Sequence, residues 1–140
     1  MRYKFRGKDN NGNWVFGDLI SCGDTGLSEI RSCNDKHYEE VMPETVCQFI
    51  GKKDKNDVEI YEGDIIELYG NKAYHYIVDY STFNCAYFGK CIETDYKGLA
   101  EITNQPIEVV GNIYDNKDLI IKFQHEYNKR KVWHKKIKNY

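Results

Sequence analysis

Between Gln48 and Leu68 the chain reads QFIGKKDKNDVEIYEGDIIEL. This is an apolar run, a polar turn, the short pair Ile60 and Tyr61, a second turn at Glu62 and Gly63, and a further apolar run from Ile65 to Leu68. Gly51 stands where the first run needs a backbone turn, and residues 52–57 are all charged or amide-bearing, a composition that favours solvated loops. Gly63 takes positive φ without steric cost, which suits a tight reversal between Ile60–Tyr61 and Asp64–Tyr69. In the strand that follows, Ile66 and Leu68 point to one side and Ile65, Glu67 and Tyr69 to the other, so one face is expected to pack inward and the other to be mixed.

The same period of two runs outward from this stretch. Residues 2–7 alternate Tyr3 and Phe5 against Arg2, Lys4 and Arg6, predicting a short strand with a basic outer face. That face reads either as a strip for phosphate or an acidic partner, or as a solvated edge strand. Asp9-Asn-Asn-Gly-Asn13 is a strong turn signal, its Asn-Gly suited to a type I′ reversal, and predicts an opening hairpin with Trp14–Ser21 as second strand. Leu27–Cys33 reads as a third strand and Asn34–Glu40 as an exposed loop. Further on, Ala73–Tyr80 places Tyr74, Tyr76, Val78 and Tyr80 on one face. Three tyrosines in a row suit either base stacking or structural packing. Asn84–Ile92 is the next expected strand, 95–104 a loop with a helical turn around Leu99–Ile102, and Ile107–Tyr114 a last strand bent at Gly111.

The tail changes character. Asp115 or Asn116 is placed to cap a helix whose apolar positions Leu119, Ile120, Phe123 and Tyr127 follow helical spacing. Beyond it lie Lys129, Arg130, Lys131, Lys135, Lys136 and Lys138, interleaved with Trp133 and Ile137, and no acidic residue follows Glu126. Residues 129–140 therefore carry +6 and the remainder −8 within a formal net charge of −2. Three readings follow: a nucleic-acid contact, packing on the acidic body of its own or a neighbouring subunit with Trp133 and Ile137 as anchors, or a solvated helix end.

Three stretches, Tyr3-Lys-Phe-Arg-Gly7 with Trp14-Val-Phe-Gly17, the central segment, and Glu108-Val-Val-Gly-Asn-Ile-Tyr114, occur in the order seen in YopX-like proteins, and the chain resembles that family up to about residue 121. Asp57 stands where the family usually has glycine, a position Asp tolerates better than most residues because it enters the left-handed region. The resemblance implies a mostly β fold, an SH3-like barrel with additional strands and a C-terminal α-helix, and an origin in phages or prophages of Gram-positive bacteria. It implies no catalytic residue, metal or cofactor. The organisation expected is a β domain over residues 1–121 and a basic helix or tail over 122–140.

With 140 residues, 30% charged and 41% hydrophobic, the chain fits one domain with its own core. No apolar run approaches the roughly 20 residues that span a bilayer. The start, Met-Arg-Tyr-Lys-Phe-Arg, lacks the apolar block of a secretory signal, so the host bacterial cytoplasm is the expected location. Five cysteines, at 22, 33, 47, 85 and 91, are an odd number without C-x-x-C spacing, which favours packed thiols over a disulfide framework or zinc ribbon. Cys22 with Cys33, or Cys85 with Cys91, are the pairs that a hairpin would bring together.

Catalytic patterns are sparse. Asp54-Lys-Asn-Asp-Val-Glu59 begins like a calcium loop but has no glycine at its sixth position and Ile65 at its twelfth. Asp24-Thr-Gly26 occurs once, where an aspartic protease needs two facing carboxylates. Glu62, Asp64 and His75 are the one carboxylate and imidazole grouping that would serve a small hydrolase or nuclease. The leading reading is a non-catalytic binding or adaptor module that acts through protein contacts, with a phage or host protein or with a second copy. The alternative is a nucleic-acid binder using Arg2, Lys4, Arg6, Lys129, Arg130, Lys131, Trp133, Lys135, Lys136 and Lys138.

Overall fold

A computed structural model describes residues 3–22, 26–32, 34, 37–102 and 105–139. Arg2, the Asp24 and Thr25 of the Asp-Thr-Gly triplet, and Cys33 lie outside the described residues. The chain forms two antiparallel sheets and one C-terminal helix. Neither sheet closes into a barrel among the described residues. Two compact units are distinguished, Met1–Lys53 with Glu59–Glu62, and Asp54–Val58 with Gly63–Tyr140.

The first unit holds β1 (Phe5–Lys8), β2 (Trp14–Cys22), β3 (Leu27–Ser32), β4 (Tyr38–Val41), β5 (Cys47–Lys53) and β6 (Glu59–Tyr61), in the order β4-β3-β2-β1-β5-β6. The opening hairpin forms as expected, but its turn differs from type I′. Gly12 has φ 82° and Asn11 is not in the left-handed region, while the Asp9 carboxylate accepts the backbone N–H groups of Asn11 and Asn13 at 2.9 Å each. A longer loop stabilised by an aspartate side chain thus replaces the two-residue reversal. Alternation on β2 to β4 buries Val15, Ile30 and Val41 together, with Phe5, Leu19 and Val46 packed around them.

Two expectations are corrected here. The first strand is interior to its sheet, between β2 and β5, and is not an edge. Part of the loop expected at Asn34–Glu40 is strand as well, because Tyr38–Val41 pairs with β3 and ends on the buried Val41. The charged Glu39 and Glu40 conceal this strand from a hydrophobicity reading.

In the second unit the sheet order is β10-β9-β8-β7-β11, with β7 (Asp64–Leu68), β8 (Asn71–Ser81), β9 (Ala86–Cys91), β10 (Leu99–Glu101) and β11 (Ile107–Asn112). β7 lies between β8 and β11, and all five of its residues are buried, Asp64 and Glu67 included. Of the mixed face expected for it, Ile65 and Glu67 are buried and Tyr69, just past the strand, is exposed: a central strand covered on both sides loses the alternation that a half-exposed one shows. Nor is Gly63 the tip of a hairpin. It has φ 79°, but β6 pairs with β5 in one sheet and β7 with β8 and β11 in the other, so the reversal marks the passage between units. The helical turn expected near Leu99–Ile102 is instead the short strand β10 on β9. Gly111 does sit at an irregularity of β11, where pairing with β7 shifts between Val109 and Gly111.

The loop 54–58 is organised by one carboxylate. Asp54 is buried; its Oδ1 accepts the N–H groups of Asn56 and Val58, and its Oδ2 accepts that of Val109 on β11 at 2.9 Å. Asp57 takes φ 66°, the left-handed conformation that glycine would otherwise supply. Burial pushes the Asp54 carboxyl up, yet the three backbone donors outweigh it and hold the group below its ordinary value. A carboxyl depressed in the folded state contributes stability that is present above its unfolded pKa and lost as pH falls through the folded one. Asp54→Ala is expected to cost about 2–4 kcal/mol in urea unfolding at neutral pH, since charge-assisted bonds to backbone donors are lost. The stability gap between the protein and Asp54→Asn should close as the pH is lowered below the ordinary aspartate range.

Candidate functional site

The helix α1 (Lys117–Lys138) starts from a folded-back turn. Asn116 Oδ1 accepts the backbone N–H of Asn112 at 3.0 Å, and Asn112 Oδ1 accepts those of Tyr114 and Asp115. Gly111 makes the close approach feasible, because a Cβ there would lie 2.7 Å from Asn116 Oδ1. Asn116 is the N-cap residue by position, but its side chain is spent on the strand and makes no cap bond to the helix.

Leu119, Ile120, Phe123 and Tyr127, the positions read from helical spacing, are all half-buried. Tyr127 packs on Tyr74 of β8 with ring centroids 6.1 Å apart, and Arg130 donates to the Ala73 carbonyl at 3.1 Å. Gln124 reaches the Ile92 carbonyl at 3.5 Å. The deepest contact is Phe123, whose ring stacks on the imidazole of His75 with centroids 3.5 Å apart and planes 1° from parallel.

Beneath that stack lies a buried ionisable cluster. His75 is 4% exposed; its Nδ1 is 2.6 Å from Glu93 Oε1, and its Nε2 is 3.2 Å from Glu67 Oε1. The His75 backbone N–H also donates to Glu93 Oε2 at 2.9 Å, and the Cys91 thiol donates to the same oxygen at 3.6 Å. Ionised carboxylates only accept, so with both glutamates ionised the ring donates from both nitrogens. Burial pushes the Glu93 carboxyl up, but bonds from the His75 ring and backbone, together with the charge of His75, hold it below its ordinary value. Chemically this is a closed clamp: each polar atom of the ring is taken, and an aromatic ring covers its face. Among the described residues no three His, Cys, Asp or Glu side chains converge to hold a metal ion.

The residues singled out in the sequence fall into different places. The carboxylates bonded to His75 are neither Glu62 nor Asp64. Glu62 belongs to the first unit, where its Oε2 accepts the Gln48 N–H at 3.1 Å, while Asp64 is buried in β7 and the carboxylates on His75 are Glu67 and Glu93. The sequence reading missed both glutamates; the signal for Glu67 was a charge inside an otherwise apolar run.

Of the basic face expected for residues 2–7, the described cations Lys4 and Arg6 are both engaged within the first unit. Arg6 is 7% exposed, with its guanidinium carbon 4.5 Å from the Trp14 ring centroid and 4.7 Å from that of Tyr61. Lys4 pairs with Glu59 at 2.9 Å. A planar guanidinium stacks between aromatic faces at modest desolvation cost, which is how arginine is accommodated inside a sheet face. Of the tyrosine row on β8, Tyr74 meets Tyr127 and Tyr80 meets Tyr87 at 5.1 Å, so these rings pack within the chain. Cys47, Cys85 and Cys91 are free thiols, and only Cys85 among these three is exposed.

Beyond Tyr127 every described residue of α1 is exposed. Lys129, Arg130, Lys131, Lys135, Lys136 and Lys138 share this part with Val132, Trp133 and Ile137, and Trp133 is 61% exposed. On one side, His125, Asn128, Lys129, Val132, Trp133 and Lys136 line a shallow groove of about 390 Å³. No helix among the described residues is long and apolar enough to cross a membrane.

Fold and site together define a small protein of two antiparallel sheets whose C-terminal helix contacts its sheet from Phe123 to Arg130 and is exposed beyond that point. Residues 4–121 match the model of the YopX protein family, and the chain belongs to that family. The match ends inside α1, before the exposed basic part begins. No curated protein matches the chain.

His75→Ala is expected to destabilise the protein by about 3–5 kcal/mol, because it leaves two buried carboxylates without their partner. Glu93→Gln should be clearly less stable than the unaltered protein at neutral pH. That difference should shrink as pH falls through the depressed folded pKa of Glu93, as read by urea midpoints at neutral and acid pH. For Phe123→Ala, hydrogen exchange should show loss of protection in α1 with β7 and β8 still protected.

Proposed function

We propose that the chain is a non-catalytic binding or adaptor module of phage or prophage origin, working in the bacterial cytoplasm and contacting a protein partner through the outer part of α1. The observation that carries this reading is the division of one helix into two halves. The first half turns Leu119, Ile120, Phe123 and Tyr127 inward to half-burial, leaving Ile121 outside, whereas the second exposes Trp133, Val132 and Ile137 among six cations. Tryptophan with cationic neighbours is the composition of an interface centre, since it joins large apolar area to a donor at low entropy cost. The buried imidazole cluster is engaged within the fold, which suits a role in holding the helix in place. The extension of the β body toward an SH3-like barrel, implied by the family resemblance, fits a module of this size.

Nucleic acid is the second reading, favoured by the absence of any acidic residue after Glu126. Capture from bacterial lysate, with and without nuclease, separates the two. The protein reading expects a stoichiometric protein to be retained after nuclease treatment and lost with Trp133→Ala or deletion of residues 129–140. Retention only without nuclease, together with a salt-sensitive mobility shift of an oligonucleotide that residues 129–140 confer, would replace it with the nucleic-acid reading.

A further inference from the structure

Resting on the protein-contact reading, we propose that the partner of the outer half of α1 is a second copy of this chain. It docks there on the outward face of β2, β3 and β4 of that copy. Register defines this face. Residues directly opposite in an antiparallel pair share a side, as do alternate residues along a strand. Glu29 lies opposite Glu40 and Ile20, Arg31 lies opposite Tyr38 and Asp18, and Leu27 falls on the same side. The other side carries the buried Ile30 and Val41.

This face has an unusual charge arrangement. Like charges set directly opposite across strands destabilise a sheet, yet Glu29 and Glu40 stand so, and neither forms an ion pair among the described residues. The neighbouring Arg31 does not neutralise them. Its guanidinium donates to Asp18 at 2.8 Å and also engages Tyr38. On either side of the glutamates are apolar groups in water, Leu27 at 44% and Tyr38 at 58% exposure. An acidic pair without an ion-pair partner among the described residues, flanked by exposed apolar side chains, is complementary to a helix that shows Trp133 and Ile137 beside Lys129 and Lys136.

Other occupants fit less well. Two such helices laid together would set lysine against lysine, and a polynucleotide would neutralise the lysines while leaving Val132 and Ile137 without an apolar partner. Neither would relieve the opposed glutamates of the sheet.

The test uses the full chain, freed of nucleic acid and followed by sedimentation over a range of concentrations at low and high salt. The proposal expects self-association that weakens as salt rises. It also expects that the pair Glu29→Lys with Glu40→Lys, or the pair Lys129→Glu with Lys136→Glu, weakens it by at least about tenfold, a readily resolved change in Kd. Mixing the two variants should restore association, because each then offers the surface the other has lost. Circular dichroism checks that the variants fold, and Glu40→Lys alone provides a milder version. A protein still monomeric at about 0.5 mM in low salt, beyond the range of specific association, overturns the proposal. So do association untouched by both pairs of substitutions, and variants that remain monomeric when mixed. A monomer that captures a different protein through Trp133 overturns self-docking and leaves the module reading standing. A monomer that instead shifts an oligonucleotide overturns both.

Discussion

The second unit depends on one imidazole held between two carboxylates. Glu67 comes from β7, His75 from β8 and Glu93 from the turn after β9, so the hydrogen bonds of a single ring tie adjoining parts of the sheet together. Buried carboxylates are costly unless they are paired and hydrogen-bonded, and here both conditions are met on one side chain. The ring so fixed presents a flat face, and Phe123 lies parallel on it. The position of α1 on the sheet is therefore set by an electrostatic arrangement beneath it as well as by apolar area.

A comparable role in the central stretch belongs to Asp54. The segment Gln48–Leu68 passes from the first unit at Lys53 to the second at Asp54–Val58, back to the first at Glu59–Glu62, and again to the second at Gly63. Loop 54–58 keeps its shape because one buried carboxylate accepts three backbone N–H groups, one of them on β11. The sequence showed this region as turns and short strands. It did not show that consecutive strands join different sheets, because pairing partners are chosen by tertiary contacts that local composition does not encode.

What was legible followed from local physics. The opening hairpin though not its turn type, the irregularity at Gly111, the left-handed Asp57 and the helical positions from Leu119 to Tyr127 each rest on backbone sterics or periodicity. What was not legible has an equally definite cause. β4 and β10 are held by a neighbour's ladder and carry little apolar signal of their own. Arg6 reads as a surface cation until Trp14 and Tyr61 supply two rings for it to lie between. The sequence marked His75 but matched it with Glu62 and Asp64, whereas the ring meets Glu67 and Glu93, eight and eighteen positions away. Glu67 is nearer to His75 in sequence than either, but inside an apolar run it read as a lone charge on a strand face, and Glu93 joins the ring only through strand pairing.

The folded-back turn from Asn112 to Asn116 also bears on how the end of the chain is presented. It fixes the direction in which α1 leaves its sheet, and Phe123, Tyr127 and Arg130 keep to that line. Residues 128–138 continue it as helix for about 16 Å at 1.5 Å per residue. The extension is thus a stiff spar and not a tether. A flexible tail would let Trp133 sample many places, whereas a spar holds that ring at one distance and one bearing from the sheet that carries it.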